Sequence, residues 1–209
     1  MRARWAILSC NIKVVLREVD LKNKPSSLYK YSPKGTVPIL ITSQGEIIDE
    51  SIDIIKWALE SKNYTSENII SLKKFSSEIY NLIKQNDQDF KYHLDRYKYP
   101  NRFCIESNKY HQEKAREILI IWNNNIKKSK QNESSNQGWL LGKEETIADW
   151  CIWPFVRQYK NINPLEFEND NSLEDLDCWL DSYIKNDVFQ VLMRKYSPWT
   201  EAIQDLIYP

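Results

Sequence analysis

The chain has 209 residues and balances 29 basic against 29 acidic side chains, so no global charge favours nucleic acid or an anionic membrane surface. Apolar residues make up 42%, with eight Trp and twelve Tyr, which argues for a packed globule and against disorder; four glycines disfavour Gly-rich phosphate loops and turn-dense all-β folds. No apolar run approaches the roughly 20 residues of a membrane span.

The N-terminus, Met1-Arg2-Ala3-Arg4-Trp5-Ala6-Ile7-Leu8, is basic then apolar, but polar Asn11 and Lys13 follow too soon for a signal peptide. Residues 2–10 read as a short helix without a visible N-cap. Lys13 to Val19, rich in Val, reads as a strand. Lys24-Pro25-Ser26-Ser27 opens a short helix, with Pro suited to the first turn. Val37 to Ile41 is a second strand, Gln44-Gly45 a turn, and Glu46 to Ile48 a short third strand. A helix then starts at Ser51, with Ile52, Ile55 and Leu59 at i, i+3, i+7.

The polar stretch 61–67 breaks this periodicity and marks a domain boundary. Beyond it the pattern is helical: 68–92, 108–129, 146–160, 172–185 and 187–195, with a polar loop at 130–138. The four cysteines, Cys10, Cys104, Cys151 and Cys178, are far apart and form no Cys-x-x-Cys pair. Metal and disulfide readings are therefore weak, and a reducing cytoplasm is the expected location.

Three motifs stand out. Val37-Pro38 sits at the entry to a strand, where the X-Pro bond can be cis at a cost of about 0.5–1 kcal/mol. A cis bond turns the preceding backbone outward, where an extended ligand can pair with it like an added strand. A trans proline at a strand start is the commoner occurrence. Glu50-Ser51 opens a helix, where Ser is a good N-cap and Glu suits the dipole. The same hydroxyl and amides can hold a ligand carboxylate, and Glu50 an ammonium group. Thr146-Ile147-Ala148-Asp149 reads as a capping box with Asp in place of Glu, a folding feature; Pro154 should kink the helix that follows.

Together, Ser32-Pro33-Lys34-Gly35-Thr36-Val37-Pro38-Ile39-Leu40, then Glu50-Ser51, then the Thr-x-x-Asp box resemble the glutathione S-transferase superfamily over nearly the whole chain. Leu21-Lys22-Asn23-Lys24-Pro25, Asp95 to Pro100 and Trp153 to Gln158 look like its Omega-like bacterial branch. The resemblance implies α/β plus all-α architecture. A thioredoxin-like glutathione-binding domain over 1–62 would precede an all-helical C-terminal domain over 68–209.

It also implies a site for glutathione as co-substrate. Val37 would pair its backbone with the cysteinyl unit, with Pro38 in cis. Glu50 and Ser51 would hold the γ-glutamyl ammonium and carboxylate, Lys24 would approach the glycyl carboxylate, and Leu21 would line the site. Apart from the resemblance, Lys24 reads as a solvated lysine. Tyr97, Tyr99, Trp153 and Phe155, with Phe90 and Tyr92, are candidates to line a pocket for a small apolar or disulfide acceptor, or else pack helices. A homodimer is the family expectation.

Omega-like members carry a Cys-Pro-x-Ala turn before the helix that residues 1–7 match, so the catalytic cysteine is expected upstream of Met1, and with it the first strand of the fold. Cys10 lies at the wrong end of that helix, where the dipole disfavours thiolate. The expected function is glutathione-dependent thiol transfer, reduction or conjugation in a full-length form, with this chain catalytically impaired. The rival expectation is a non-catalytic binding or scaffold protein of the same fold.

Overall fold

The computed structural model describes residues 1–61, 76–105, 107–131, 137–201 and 205–209. They fall into two compact units: Met1–Thr65 with Asp187–Pro209, and Ser66–Asn186. Residues 187–209, counted in the sequence with the helical part, thus join the first unit. Beyond Ser61, the boundary stretch 61–67 lies outside the described residues, as do 68–75 of the expected long helix and most of the loop at 130–138.

The first unit contains α1 (Arg2–Ser9), β1 (Val14–Leu16), α2 (Leu28–Tyr31), β2 (Leu40–Ile41), β3 (Ile47–Ile48), α3 (Ser51–Glu60), then α10 (Asp187–Leu192) and β4 (Leu206–Tyr208) from the chain's end. α1 buries Ala3, Trp5, Ala6, Ile7 and Cys10, and packs on α3 and α10. α3 contributes Ile54, Ile55, Ala58 and Leu59 to the core, an i, i+1, i+4, i+5 stripe that faces one way on a helix.

The strands are shorter than the sequence implies and, among the described residues, form two antiparallel pairs, β1 with β4 and β2 with β3. The partner of β1 is the C-terminal strand, which no local pattern announces. The tail is held at several points. Trp199 N–H donates to the Glu18 carbonyl at 2.8 Å. Arg17 makes two 3.0 Å bonds to Asp205 and stacks over Trp199 at 4.4 Å. Tyr208 is 1% exposed.

The second unit is helical: α4 (Ser77–Gln85), a π-helical turn (Asn86–Phe90), α5 (Lys91–Lys98), α6 (Lys109–Gln131), α7 (Ile147–Lys160), α8 (Pro164–Glu168) and α9 (Glu174–Ile184). Ser76 caps α4 by accepting from Ile79 N–H. α7 runs on through Pro154, which is buried inside it. Trp122, Trp153 and Trp179 are wholly or almost wholly buried, and Trp153 stacks on Tyr183 with centroids 5.3 Å apart. No described helix is long and apolar enough to cross a membrane.

The Thr146–Asp149 cap forms as the sequence implies and reaches further. The Asp149 carboxylate accepts from Thr146 N–H (2.9 Å) and the Thr146 hydroxyl (2.8 Å). It also accepts from Leu140 N–H and Trp179 Nε1–H, each at 3.0 Å. Burial raises its pKa, and these bonds oppose that shift.

Beside it, Glu145 accepts from the Tyr183 hydroxyl at 2.5 Å, and burial pushes its carboxyl up to about 7. In an unfolded chain it titrates near 4.3. Between these values the folded state holds a proton that the unfolded state has lost, so this group's contribution to stability falls as pH rises through that window. Glu145→Gln should therefore stabilise the protein above pH 7 by on the order of 2 kcal/mol and leave it little changed near pH 4. Urea unfolding at both pH values checks this.

Candidate functional site: one end of the β2–β3 hairpin

The site is built on a turn. Gly35 N–H donates to the Ser32 carbonyl (2.8 Å), and the buried Ser32 hydroxyl accepts from Thr36 N–H (3.2 Å). Ser-Pro-x-Gly suits this turn because Pro fixes φ at its second position and Gly closes it. Gly35 has φ +61, and a Cβ there would stand 2.6 Å from the Tyr29 ring. Gly35→Ala should destabilise the first unit by about 1–3 kcal/mol, since both the backbone and the ring must shift. Thermal unfolding measures this, and Tyr29→Ala in the same chain should recover part of the loss.

Beyond the turn, the Val37–Pro38 bond is cis. Val37 is 41% exposed and stands before β2, outside its ladder. The hairpin register then matters. Leu40 lies opposite Ile48 and Ile41 opposite Ile47. The start of β2 is therefore beside the end of β3, and Val37-Pro38 and Glu50-Ser51 flank the same end of the hairpin. Antiparallel pairing alone brings these two motifs together across twelve residues of sequence.

Glu50, in extended conformation, occupies the N-cap of α3, and Ser51 is the first helical residue. This corrects the sequence reading, which made Ser51 the cap. No side chain caps the helix. Its leading N–H groups point out of the helix start, where the dipole favours an anion. Ser51 is half-buried and Glu50 exposed. Asp53 in the first turn is engaged by Lys56 at 3.0 Å.

Leu21, 62% exposed, and Lys24, half-buried, lie in the turns between β1 and α2. No described hydrogen bond or ion pair ties either to the hairpin end. Ser32, Gly35 and Thr36 build the turn as the Ser-Pro-x-Gly pattern implies, and Tyr29, which carries no mark in the sequence, packs beside Gly35.

The expected acceptor residues are dispersed. Trp153 is fully buried against Tyr183, and Tyr97 is buried against Tyr159 with centroids 5.4 Å apart. Trp153 serves the helical core, whereas Tyr97 borders a small cleft with Gln112, Arg116 and Tyr159. Tyr99 is exposed beneath Lys98 and Arg102, and Phe155 is half-buried. A cavity of about 410 Å³ in this unit is lined by Ser76, Ile79, Leu141, Lys143 and Thr146 among others, and by none of these four.

Cys10 ends α1, fully buried, with its N–H donating to Ala6 carbonyl at 2.9 Å. No described cysteine stands at the start of α1.

Residues 1–61 match the family described as glutathione S-transferase, N-terminal domain. Mouse glutathione S-transferase omega-1 is 24% identical over 145 residues, which cover 69% of this chain and 55% of that protein, about half its length. A glutathione S-transferase domain-containing protein of Marinobacter aquaeolei superposes with a TM-score of 0.67 at 15% identity, covering 90% of this chain and 93% of that one. A glutathione transferase family member of Pseudomonas fluorescens, solved with two glutathione bound, gives 0.69 at 12% identity, covering 90% and 85%. The N-terminal 61 residues thus match the glutathione S-transferase N-terminal domain, and nine-tenths of the chain shares the fold of solved glutathione S-transferases.

Proposed function

We propose that this chain binds glutathione at the hairpin end formed by Val37-Pro38 and Glu50-Ser51, as an Omega-like member of the superfamily. The observation that carries this is the β2–β3 register, which sets an exposed strand entry beside a helix start without a side-chain cap. The Val37 backbone pairs with the cysteinyl unit. Ser51 and the first amides of α3 hold the γ-glutamyl carboxylate, and Glu50 its ammonium. Lys24 approaches the glycyl carboxylate, and Leu21 covers the peptide from one side.

The chemistry served is thiol transfer or reduction, in which a thiolate and glutathione exchange through a mixed disulfide. That step needs a thiol at the positive end of α1, where its pKa falls. Cys10 is at the opposite end, so this 209-residue chain binds glutathione and turns over disulfide substrates poorly. Dimerisation and a cytoplasmic setting belong to the proposal as family expectations.

Calorimetric titration with glutathione tests the binding. Glu50→Gln removes a charged hydrogen-bond partner worth about 1.5–3 kcal/mol, so affinity should drop by roughly tenfold to a hundredfold. Equal affinity in wild type and Glu50→Gln contradicts the assignment. Brisk thiol-transferase turnover by this chain contradicts the reading of its chemistry.

A further inference from the structure

The chain has two histidines, and they face each other. His93 on α5 and His111 on α6 stand with their Nδ1 atoms 2.9 Å apart and ring centroids 5.0 Å apart. Both are half-buried, so solvent reaches them. Tyr92 and Tyr110 flank the pair, at 5.1 Å from His93 and 5.2 Å from His111 respectively. The packing of α5 on α6 holds the rings together without any ligand.

We propose that His93 and His111 form a bis-imidazole site for a divalent late transition-metal ion, Cu(II) or Ni(II), with water filling the remaining positions.

The separation is within chelating reach. With metal–nitrogen bonds of about 2.0–2.1 Å, two donors at a right angle lie about 2.9 Å apart, and two at a tetrahedral angle about 3.4 Å. The observed 2.9 Å is the hydrogen bond of the free pair and puts both nitrogens within chelating reach, and the choice of Cu(II) or Ni(II) rests on the preference of these ions for imidazole nitrogen.

The protons balance. In the free pair one Nδ1–H donates to the other Nδ1. Metal entry requires both Nδ1 lone pairs, so the donating ring carries its proton on Nε2 instead, and none is lost. The rings are tilted by 41°, and a rotation about each χ2, which also changes the Nδ1 separation, is what would bring both lone pairs to one ion.

The charged surroundings limit affinity. Arg96 and Lys114 face the pair and oppose a cation, while Asp89 favours one. Arg96 is drawn over the Tyr92 ring at 3.4 Å and lies 4.4 Å from the Phe103 ring. Lys114 is paired with Glu117 at 2.8 Å. Among the described residues, no group of three or more metal-ligating side chains forms. Two imidazoles and water therefore define the site.

The test uses the full chain with the exposed Cys104 and Cys178 replaced by Ser to remove competing thiols, without glutathione. Cu(II) and Ni(II) are titrated calorimetrically, and the Cu(II) form is examined by electron paramagnetic resonance. One saturable equivalent with hyperfine structure from two nitrogens is expected, with Ni(II) bound at least as tightly as Zn(II). His93→Asn and His111→Asn each keep a hydrogen-bonding group at the Nδ1 position and should each abolish saturable binding. If either perturbs the circular dichroism, His→Gln at that position replaces it. Binding that survives either replacement, no saturable binding in the parent, or tighter Zn(II) than Ni(II) overturns the proposal.

Discussion

Asp149→Ala should lower the unfolding free energy of the helical unit by about 3–5 kcal/mol, among the largest effects of any single replacement here. Four donors converge on this carboxylate, and three of them are N–H groups on separate segments: Leu140 N–H, Thr146 N–H and Trp179 Nε1–H. Asp149 and Leu140 are essentially inaccessible, and Trp179 is 2% exposed, so water cannot replace the lost acceptor. Each orphaned donor costs about 1–3 kcal/mol, and the loss of the helix cap adds to that. Asp149→Asn should cost less, because its carbonyl still serves Leu140 and Trp179, while its amide now faces the Thr146 N–H. Urea unfolding followed by tryptophan fluorescence reads both. A cost below about 1 kcal/mol for the alanine variant would mean that the donors find other partners.

Tyr208→Ala should cost the first unit about 3 kcal/mol, although the residue is next to last. Its ring is 1% exposed, pairs across the ladder with Val14, and sits 5.9 Å from the Tyr196 ring. Arg4 lies 5.7 Å from the Tyr196 ring and 5.8 Å from that of Tyr208, and it also pairs with Glu18. Removing the ring leaves a cavity and loosens β4, exposing the edge of β1. The Arg17–Asp205 pair cannot compensate, because both partners are solvent-exposed and water screens their attraction. Limited proteolysis should cut the variant after Tyr196 or Trp199 well before wild type. Identical cleavage would show that β4 does not depend on this anchor.

These two sites differ in how far the sequence announces them. Thr-x-x-Asp is a local pattern, so the cap on α7 could be read directly, but Trp179 and Leu140 come from elsewhere in the chain and carry no sequence mark. The β1–β4 pairing joins residues about 190 apart, and such register follows from tertiary contact, not from periodicity. The strands shrank for a related reason: Lys13 to Val19 has strand composition throughout, yet only Val14–Leu16 has a partner. The π-helical turn at Asn86–Phe90 shares the helical pattern on either side and cannot be separated from it. α8 carries a local start signal in the sequence: Asn163 caps it, Pro164 takes the first turn, and Glu166 follows.

The hairpin end shows the same division. Ser-Pro-x-Gly, Val-Pro and Glu-Ser were all readable as residues. Their meeting depends on the register Leu40 opposite Ile48, and the choice of Glu50 over Ser51 as N-cap is a backbone detail. The aromatic residues are ambiguous in sequence because Tyr and Trp serve cores and pockets equally well by composition; in the structure Trp153 is fully buried and Tyr97 borders a small cleft.

The measurement that bears most directly on glutathione binding is an amide chemical-shift titration of the isotopically labelled chain with glutathione. Saturable shifts should concentrate at Val37, Glu50, Ser51 and Ile52, with Lys24 affected and the helical unit quiet. Shifts confined to the helical unit, or none at saturating glutathione, would contradict the site.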